Sequence, residues 1–368
     1  MLILAPMQGL TELLFRRVYE QCFPGVFSLA VSPFLSLTHG DLSGAWEKID
    51  DVLPEPNRGS IPVIPQILGK EPEEFVALAN RLYEIGYKEV NWNIGCPVRR
   101  VAAKHRGSGI LPYPNEIRDI LDHVIPRLHG TLSVKMRLGL RSSEEIFDVI
   151  PVLNDFSLAS VTIHPRTGKQ QYGGQVDLDT FARALPLIRH HVIYNGDIHS
   201  LADYHRIHAR FPQIEDFMLG RGVLYNPQLP LQIRHTPSPL RGTPPNLGGE
   251  RLPQSEAVSE ACCISSFSPK LGEPKVGDRQ WSQLSAQLTE ECVPNSQFSI
   301  LNSQFIMALV DAIYALPVSD EAHMRKTKEY WCLLWHSLPI TQQQATAVLH
   351  APDAAQTRST LEKIISSI

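Results

Sequence analysis

Apolar positions in the first 222 residues of the chain fall into short runs separated by more polar stretches. Eight of these runs are rich in aliphatic and β-branched residues: LILAPM (2–7), VFSLAVSPF (26–34), VIPQIL (63–68), EVNWNIG (89–95), LSVKMRL (132–138), SVTIHPR (160–166), HVIYNGD (191–197) and FMLGRG (217–222). Each has the length and texture of a buried strand. Their starts recur about every 31 residues, and most of the gaps carry helical periodicity. The clearest helix is EPEEFVALANRLYEIGY (71–87), with acidic residues in its first turn, Phe75, Leu78, Ala79 and Leu82 on one face, and Gly86 near its end. Strand and helix alternating eight times predict an α/β fold, a (β/α)8 TIM barrel. An open doubly wound sheet is the alternative; it more naturally shows a GxGxxG turn after the first strand, and LILAPMQGL has none.

The pattern changes after residue 235. From Thr236 to Asp278, Pro, Gly and Ser supply 18 of 43 residues with no sustained period, a composition that buries too little apolar surface to offset its ordering entropy. The stretch 236–296 therefore predicts a disordered insertion or linker between a barrel domain (1–235) and a small C-terminal α-helical domain (297–368). Helical periodicity returns in NSQFIMALVDAIYAL, SDEAHMRKTKEYWCLLWHSL and ITQQQATAVLHA, with a last helix near TRSTLEKIISSI. Ser319, followed by Asp320 and Glu321, reads as a helix start.

Composition narrows the possibilities. The 368 residues are 43% hydrophobic and 20% charged with a net charge of −4, so any nucleic-acid partner must be held by local patches. No apolar stretch approaches the roughly 20 residues of a membrane span, and MLILAPMQGL lacks the basic start and cleavage site of a signal peptide. The six cysteines are scattered, with no CxxC spacing for a metal or redox dithiol, and Cys262 and Cys263 lie inside the low-complexity stretch. These features predict a cytoplasmic protein with no membrane or metal partner.

In a barrel the chemistry gathers where strands end. The unusual polar residues fall there: Gln66, then Asn93 and Cys96, Lys135 and Arg137, His164 and Arg166, Asn195 and Asp197, and the turn Gly220 to Gly222. Lys135 on an apolar strand needs a salt bridge, a polar ligand or a Schiff base to justify its burial. The NGDI and LGRG turns offer backbone N–H groups and Arg221, the makings of a phosphate site. Arg99, Arg100, Lys104 and Arg106 form a basic run directly after the Gly-Cys-Pro turn, and Arg325, Lys326 and Lys328 lie beside Tyr330 and Trp331.

The order of LAPMQG, PQILG, NWNIGCPVRRV, GSGIL, VKMRLG, IHPRT, YNGDI and LGRG along the chain resembles the tRNA-dihydrouridine synthases. The resemblance implies an FMN-containing barrel that reduces a uridine of tRNA at its C5–C6 bond, with NADPH as reductant and a helical domain that grips the RNA. It places the flavin ring against Ala5, Pro6 and Met7 and its pyrimidine edge on Gln66. Lys135 and His164 are flavin contacts, and Asn195, Gly196, Asp197, Gly220 and Arg221 hold the phosphate tail. Cys96 becomes the acid that protonates C5 after hydride reaches C6. Asn93 and Arg137 take the uracil edge. Arg166, the run Arg99, Arg100 and Lys104, and the helix bearing Arg325, Lys326 and Lys328 are left for the RNA. The basic run beside Cys96 pulls towards a thiolate, whereas an acid must stay protonated. A small-molecule flavin reductase of the dihydroorotate dehydrogenase type, or a tRNA-binding protein without catalysis, are the other readings. The pattern is silent on oligomeric state, a monomer being the simplest form.

Overall fold

The computed structural model describes residues 1–36, 48–235 and 296–368. Its ten strands are β1 (Leu2–Leu4), β2 (Leu29–Val31), β3 (Leu35–Ser36), β4 (Val63–Ile64), β5 (Gln66–Leu68), β6 (Glu89–Ile94), β7 (Thr131–Gly139), β8 (Val161–Thr167), β9 (Val192–Asn195) and β10 (Asp216–Leu219). They form one sheet in the order β3-β5-β6-β7-β8-β9-β10-β1-β2-β4, and every pairing is parallel. The two ends of that order meet in one stretch of chain. β4 pairs with β2 and β5 pairs with β3 and β6, while only Pro65, which has no N–H to give a ladder, separates β4 from β5. The sheet is therefore closed, and the ten pieces are the eight strands of a (β/α)8 barrel, the second and third each broken once.

Helices α1 (Leu13–Cys22), α2 (Pro72–Glu84), α3 (Arg99–Ala102), α4 (Pro114–Val124), α5 (Ile146–Asn154), α6 (Leu178–Ala184), α7 (Leu201–Arg210), α8 (Arg221–Tyr225) and α9 (Leu229–His235) fill the connections. The helix expected over 71–87 is α2. It starts on Pro72, carries Glu73 and Glu74 in its first turn, and buries Phe75, Leu78, Ala79 and Leu82; Gly86 then turns the chain at φ +114°.

Inside the barrel the two halves differ. Ile3, Ala5, Val31, Ile193 and Met218, from β1, β2, β9, β10 and the residue after β1, make a separate apolar cluster. The facing half, built on β5 to β8, is lined by Gln66, Asn91, Asn93, Ser133, Thr162 and His164, all buried. A barrel interior is usually filled by branched apolar residues, so a polar half marks where the fold has been given over to binding.

The C-terminal helices are α10 (Ser296–Tyr314), α11 (Asp320–Leu334), α12 (Gln342–His350) and α13 (Ala354–Ile365). Ser319 caps α11 by accepting from the Ala322 amide, as its sequence position suggested. The low-complexity stretch with Cys262, Cys263 and Cys292 lies outside the described residues, apart from Ser296, on which α10 starts. Phe305 of α10 meets Phe15, Tyr19 and Phe23 with ring centroids 5.6 to 5.7 Å apart. Tyr330 of α11 stacks on Phe15 and its hydroxyl donates to the Leu10 carbonyl at 2.6 Å. One apolar cluster thus runs from the barrel's first helix into the helical bundle. No described helix is long and apolar enough to cross a membrane.

Candidate active site

A pocket of about 510 Å³, counting its open mouth, lies at the C-terminal ends of the barrel strands, the face on which barrels carry their chemistry. Ala5, Pro6 and Met7 after β1, Lys135, His164, Asn195, Gly196, Asp197, Gly220 and Arg221 all line it. Ten positions named from the sequence therefore share one cavity. Tyr172, Ile198, His199 and Gly222 line it as well. The sequence reading missed Tyr172 and His199, although QYGG, an aromatic among glycines in a post-strand loop, was a signal available for the first.

The tail end of the pocket is held by a buried charge cluster. Arg166 grips both oxygens of Asp197, at 2.7 and 2.5 Å, and Arg221 donates to Oδ1 at 2.9 Å. Burial alone would raise the Asp197 carboxyl, but the Arg166 hydrogen bond and the charges of Arg166 and Arg221 outweigh it and hold it below its ordinary range. Arg166, expected at the RNA, is instead 2% exposed, because its partner Asp197 is inside the site. The Asp197 carboxylate, with both oxygens taken by guanidinium groups, serves an anion by fixing Arg221. Tyr172 lies beneath two cations, 5.0 Å from Arg221 and 5.3 Å from Arg137 to its ring centroid. Gly222 permits a close turn: a Cβ there would stand 2.1 Å from the Ile198 carbonyl.

Lys135 is half-buried and, among the described residues, its amino group has no hydrogen-bond or ion-pair partner. Burial, and then the neighbouring Arg137, push it down to about 7. His164 is pushed well below its ordinary value by burial and by Arg137 and Lys135. Its Nε2 lies 3.2 Å from the Arg166 Nη1. A neutral ring accepting there keeps its proton on Nδ1. Lys135 and Arg221 thus line a cavity with one carboxylate, and Arg137 and Arg166 stand behind its Tyr172 and Asp197, an arrangement that suits an anionic ligand with an electron-rich body.

Cys96 sits on the turn after β6. The Asn93 side-chain Oδ1 accepts from the amides of Gly95 and Cys96 at 3.1 and 2.9 Å, and Ser108 gives its amide and its hydroxyl to the Cys96 carbonyl at 2.9 and 3.0 Å. Gly107, at φ +56°, lets the GSG loop close down: a Cβ would stand 2.7 Å from that carbonyl. Burial pushes the Cys96 thiol up, against the Val98 amide and the charges of Arg137, Lys135 and Arg100. In the competition posed by the basic run, burial is the larger effect and favours the protonated thiol.

The remaining expected residues are placed as follows. Gln66 is fully buried and bonds Asn91 and Asn93 at both ends of its amide, each at 2.7 Å. Asn93, expected at the uracil edge, has its Oδ1 taken up by the Cys96 turn. Arg137 donates to the carbonyls of Gly95, at 3.1 Å, and Thr167, at 2.8 Å, with burial bringing it down to about 10. Arg99, Arg100 and Lys104 are exposed. On α11 only Arg325 of the three cations is exposed. Lys326 bonds the Gly9 carbonyl and faces Glu12 and Glu329 at 3.5 and 3.3 Å, and Lys328 donates to the Ala351 carbonyl at 2.6 Å. Lys326 and Lys328 are thus spent inside the molecule, because α11 lies against the barrel on one side and α12 on the other. Among the described residues no group of His, Cys, Asp and Glu is arranged to hold a metal.

A family model described as dihydrouridine synthase matches residues 3–251. The chain belongs to the dihydrouridine synthase family. Members are flavin-dependent oxidoreductases. The tRNA-dihydrouridine(16) synthase of Cupriavidus necator is 31% identical over 240 residues, spanning 63% of this chain and 73% of that protein. The tRNA-dihydrouridine synthase B of Escherichia coli is 27% identical over 306 residues, 81% of this chain and 89% of its own length. Among solved structures, the old yellow enzyme homologue of Zymomonas mobilis aligns at 13% identity with a TM-score of 0.45, over 63% of this chain and 88% of that one.

Proposed function

We propose that this dihydrouridine synthase reduces a uridine of tRNA to 5,6-dihydrouridine, with FMN as prosthetic group and NADPH as reductant. The observation that carries this reading is Lys135: a half-buried amino group without a partner among the described residues, facing a pocket that ends in Arg221 and glycine turns, beside a protonated thiol. Such a pocket fits FMN, which brings a phosphate for one end and an electron-rich ring for the other.

In this reading the backbone of Ala5, Pro6 and Met7 forms the flat bed for the ring, and Lys135 faces its electron-rich edge. His164 offers an N–H from a neutral imidazole. Asn195, Gly196, Gly220 and Arg221 receive the phosphate, and Asp197 with Arg166 keeps Arg221 in place. When bound, the flavin supplies the hydride for C6 of the uracil and is restored by NADPH.

Cys96 then holds a proton on Sγ for C5 of the uracil. Loss of that proton at the end of each turnover leaves a thiolate that Arg137 and Lys135 stabilise until solvent reprotonates it. Arg137, whose guanidinium borders the Cys96 turn, takes the uracil edge, and Asn93 keeps the turn in shape. The uridine must be turned out of its stack to reach this depth, at a cost of a few kcal/mol that phosphate contacts offset. Exposed Arg99, Arg100, Lys104 and Arg325 are the cations for those contacts.

The test is to combine the purified chain, FMN, NADPH and unmodified tRNA and to locate dihydrouridine by mass spectrometry. A colourless protein that takes up no flavin, or a pigmented one that leaves tRNA uridines untouched, overturns the reading. Turnover of dihydroorotate with no change in the tRNA moves the assignment to a small-molecule reductase.

A further inference from the structure

The loop between β1 and α1 carries Ala5, Pro6 and Met7 of the pocket, and one buried side chain ties it back on itself. The Thr11 hydroxyl accepts from the Met7 amide at 2.8 Å and donates to the Ala5 carbonyl at 2.9 Å, while the amides of Leu10 and Thr11 both give to the Met7 carbonyl at 3.0 Å. Gly9 makes the reversal at φ +80°. A shift at Leu10 is therefore passed through these bonds to Ala5 and Met7.

Three successive carbonyls of the loop take side-chain donors. That of Thr11 is served from the barrel, by Arg16 Nη1 at 2.9 Å. Those of Gly9 and Leu10 are served by the helical domain: Lys326 of α11 donates to the first, and the Tyr330 hydroxyl to the second at 2.6 Å. Lys326 and Tyr330 stand one turn apart on α11, so both reach the loop from one face. Tyr330 is buried and stacked on Phe15 with ring centroids 6.0 Å apart, and the Lys326 Nζ lies 5.1 Å from the Tyr330 ring centroid. Glu329 of the same turn comes so near that a Cβ on Gly9 would stand 3.0 Å from its Oε1. Donors packed this closely fix the place of their acceptors.

We propose that Lys326 and Tyr330 are positioning residues for the flavin bed: by holding the Gly9 and Leu10 carbonyls, the helical domain sets where Ala5, Pro6 and Met7 stand in the pocket. Neither residue lines the pocket itself; each acts through the loop. A plain contact between domains would cost stability when broken and would not reach the flavin. The part of this inference that concerns the flavin rests on the proposed function; the part that concerns the loop does not.

The experiment compares full chains of wild type, Tyr330→Phe, Lys326→Met and Lys326→Arg, with Tyr314→Phe as control. Tyr330→Phe removes one oxygen and keeps the ring on Phe15, so the test does not depend on a disruptive variant. Tyr314 also donates its hydroxyl to a carbonyl, that of Ala354 at 2.6 Å, but inside the helical bundle. FMN affinity is read by fluorescence quenching, the setting of the flavin by its visible circular dichroism, and the loop by hydrogen exchange of peptides covering 5–12 in the flavin-free chains. Tyr330→Phe and Lys326→Met are expected to bind FMN about 3- to 10-fold more weakly, the range one lost hydrogen bond can supply, to change the dichroic bands, and to exchange the Leu10 and Thr11 amides several-fold faster. Lys326→Arg, which keeps a donor, and Tyr314→Phe are expected to match wild type. Wild-type affinity and exchange in both Tyr330→Phe and Lys326→Met overturn the proposal, as does an equal loss in Tyr314→Phe. A wild-type chain that takes up no FMN sinks the proposed function instead, and the exchange comparison then upholds or overturns the clamp on the loop by itself.

Discussion

Lys135 and Cys96 divide the proton chemistry of the site between a group pushed down and a group pushed up, and burial is the largest cause for both. For Lys135 the folded chain gives up its proton near pH 7, whereas the unfolded chain keeps it to the ordinary value of 10.5. Between those values the unfolded state binds more protons, so this group's contribution to stability rises with pH across that window and is lost as pH falls through about 7. A ligand that pairs with the ammonium form reverses the preference and takes up a proton. FMN affinity, followed by quenching of flavin fluorescence, is therefore expected to weaken above pH 7, and Lys135→Met to flatten the profile; equal slopes in both chains count against the pairing. Cys96→Ala is expected to keep flavin and to slow dihydrouridine formation by about 10²- to 10⁴-fold, the usual share of a positioned acid. An unchanged single-turnover rate would place the proton elsewhere. Both residues were legible from their neighbours in sequence. Tyr172 left only the faint signal of QYGG and His199 none, because what brings them into the pocket is the folding back of two loops.

At the scale of elements, the Gly-Cys-Pro turn and the GSG loop work as one unit although ten residues separate Cys96 from Gly107. Gly107→Ala puts a methyl into the Cys96 carbonyl and adds a side chain at positive φ. The expected result is a loss of about 1–3 kcal/mol in stability, read by denaturant unfolding, with a fall in activity larger than any loss of flavin. A variant as active and stable as wild type would show that the loop moves freely. Strand positions were readable because apolar runs bounded by turn residues survive in any strand environment. The breaks at Pro65 and after Val31 were blurred, since a run of apolar residues does not say which neighbour each half will pair with. The intramolecular partners of Lys326 and Lys328 were hidden for a related reason: a cation on a helix looks the same in sequence whether its face meets solvent or the barrel.

For the whole molecule, the charge of −4 leaves the proposed tRNA substrate to be held by patches, and the exposed cations Arg99, Arg100 and Lys104 follow directly on the Cys96 turn in sequence. Reversing Arg99 and Lys104 to Glu is expected to weaken tRNA binding while leaving flavin affinity intact, and to lower the salt slope of log K by about one for each phosphate that is no longer neutralised. A salt slope equal to wild type would exclude that loop from the interface. The bundle and barrel share a core, so Phe305→Ala is expected to cost about 3–5 kcal/mol and to lower the midpoint of a single unfolding transition; two separate transitions in wild type would show that the parts fold independently.

The sequence by itself determined the eightfold alternation, the helix over 71–87, and which residues stand at strand ends, because these follow from local periodicity and turn chemistry. It also marked Cys96, Lys135 and the glycine turns, whose residue types are costly without a purpose. Only the tertiary structure decided that Arg166 and Asp197 lock each other inside the pocket, that burial outweighs the basic neighbours of the Cys96 thiol, and that Gln66, Asn91, Asn93 and Ser133 join in one hydrogen-bonded line inside the barrel. Those outcomes depend on burial and on distances between residues far apart in the chain, and both arise only when the sheet closes on itself.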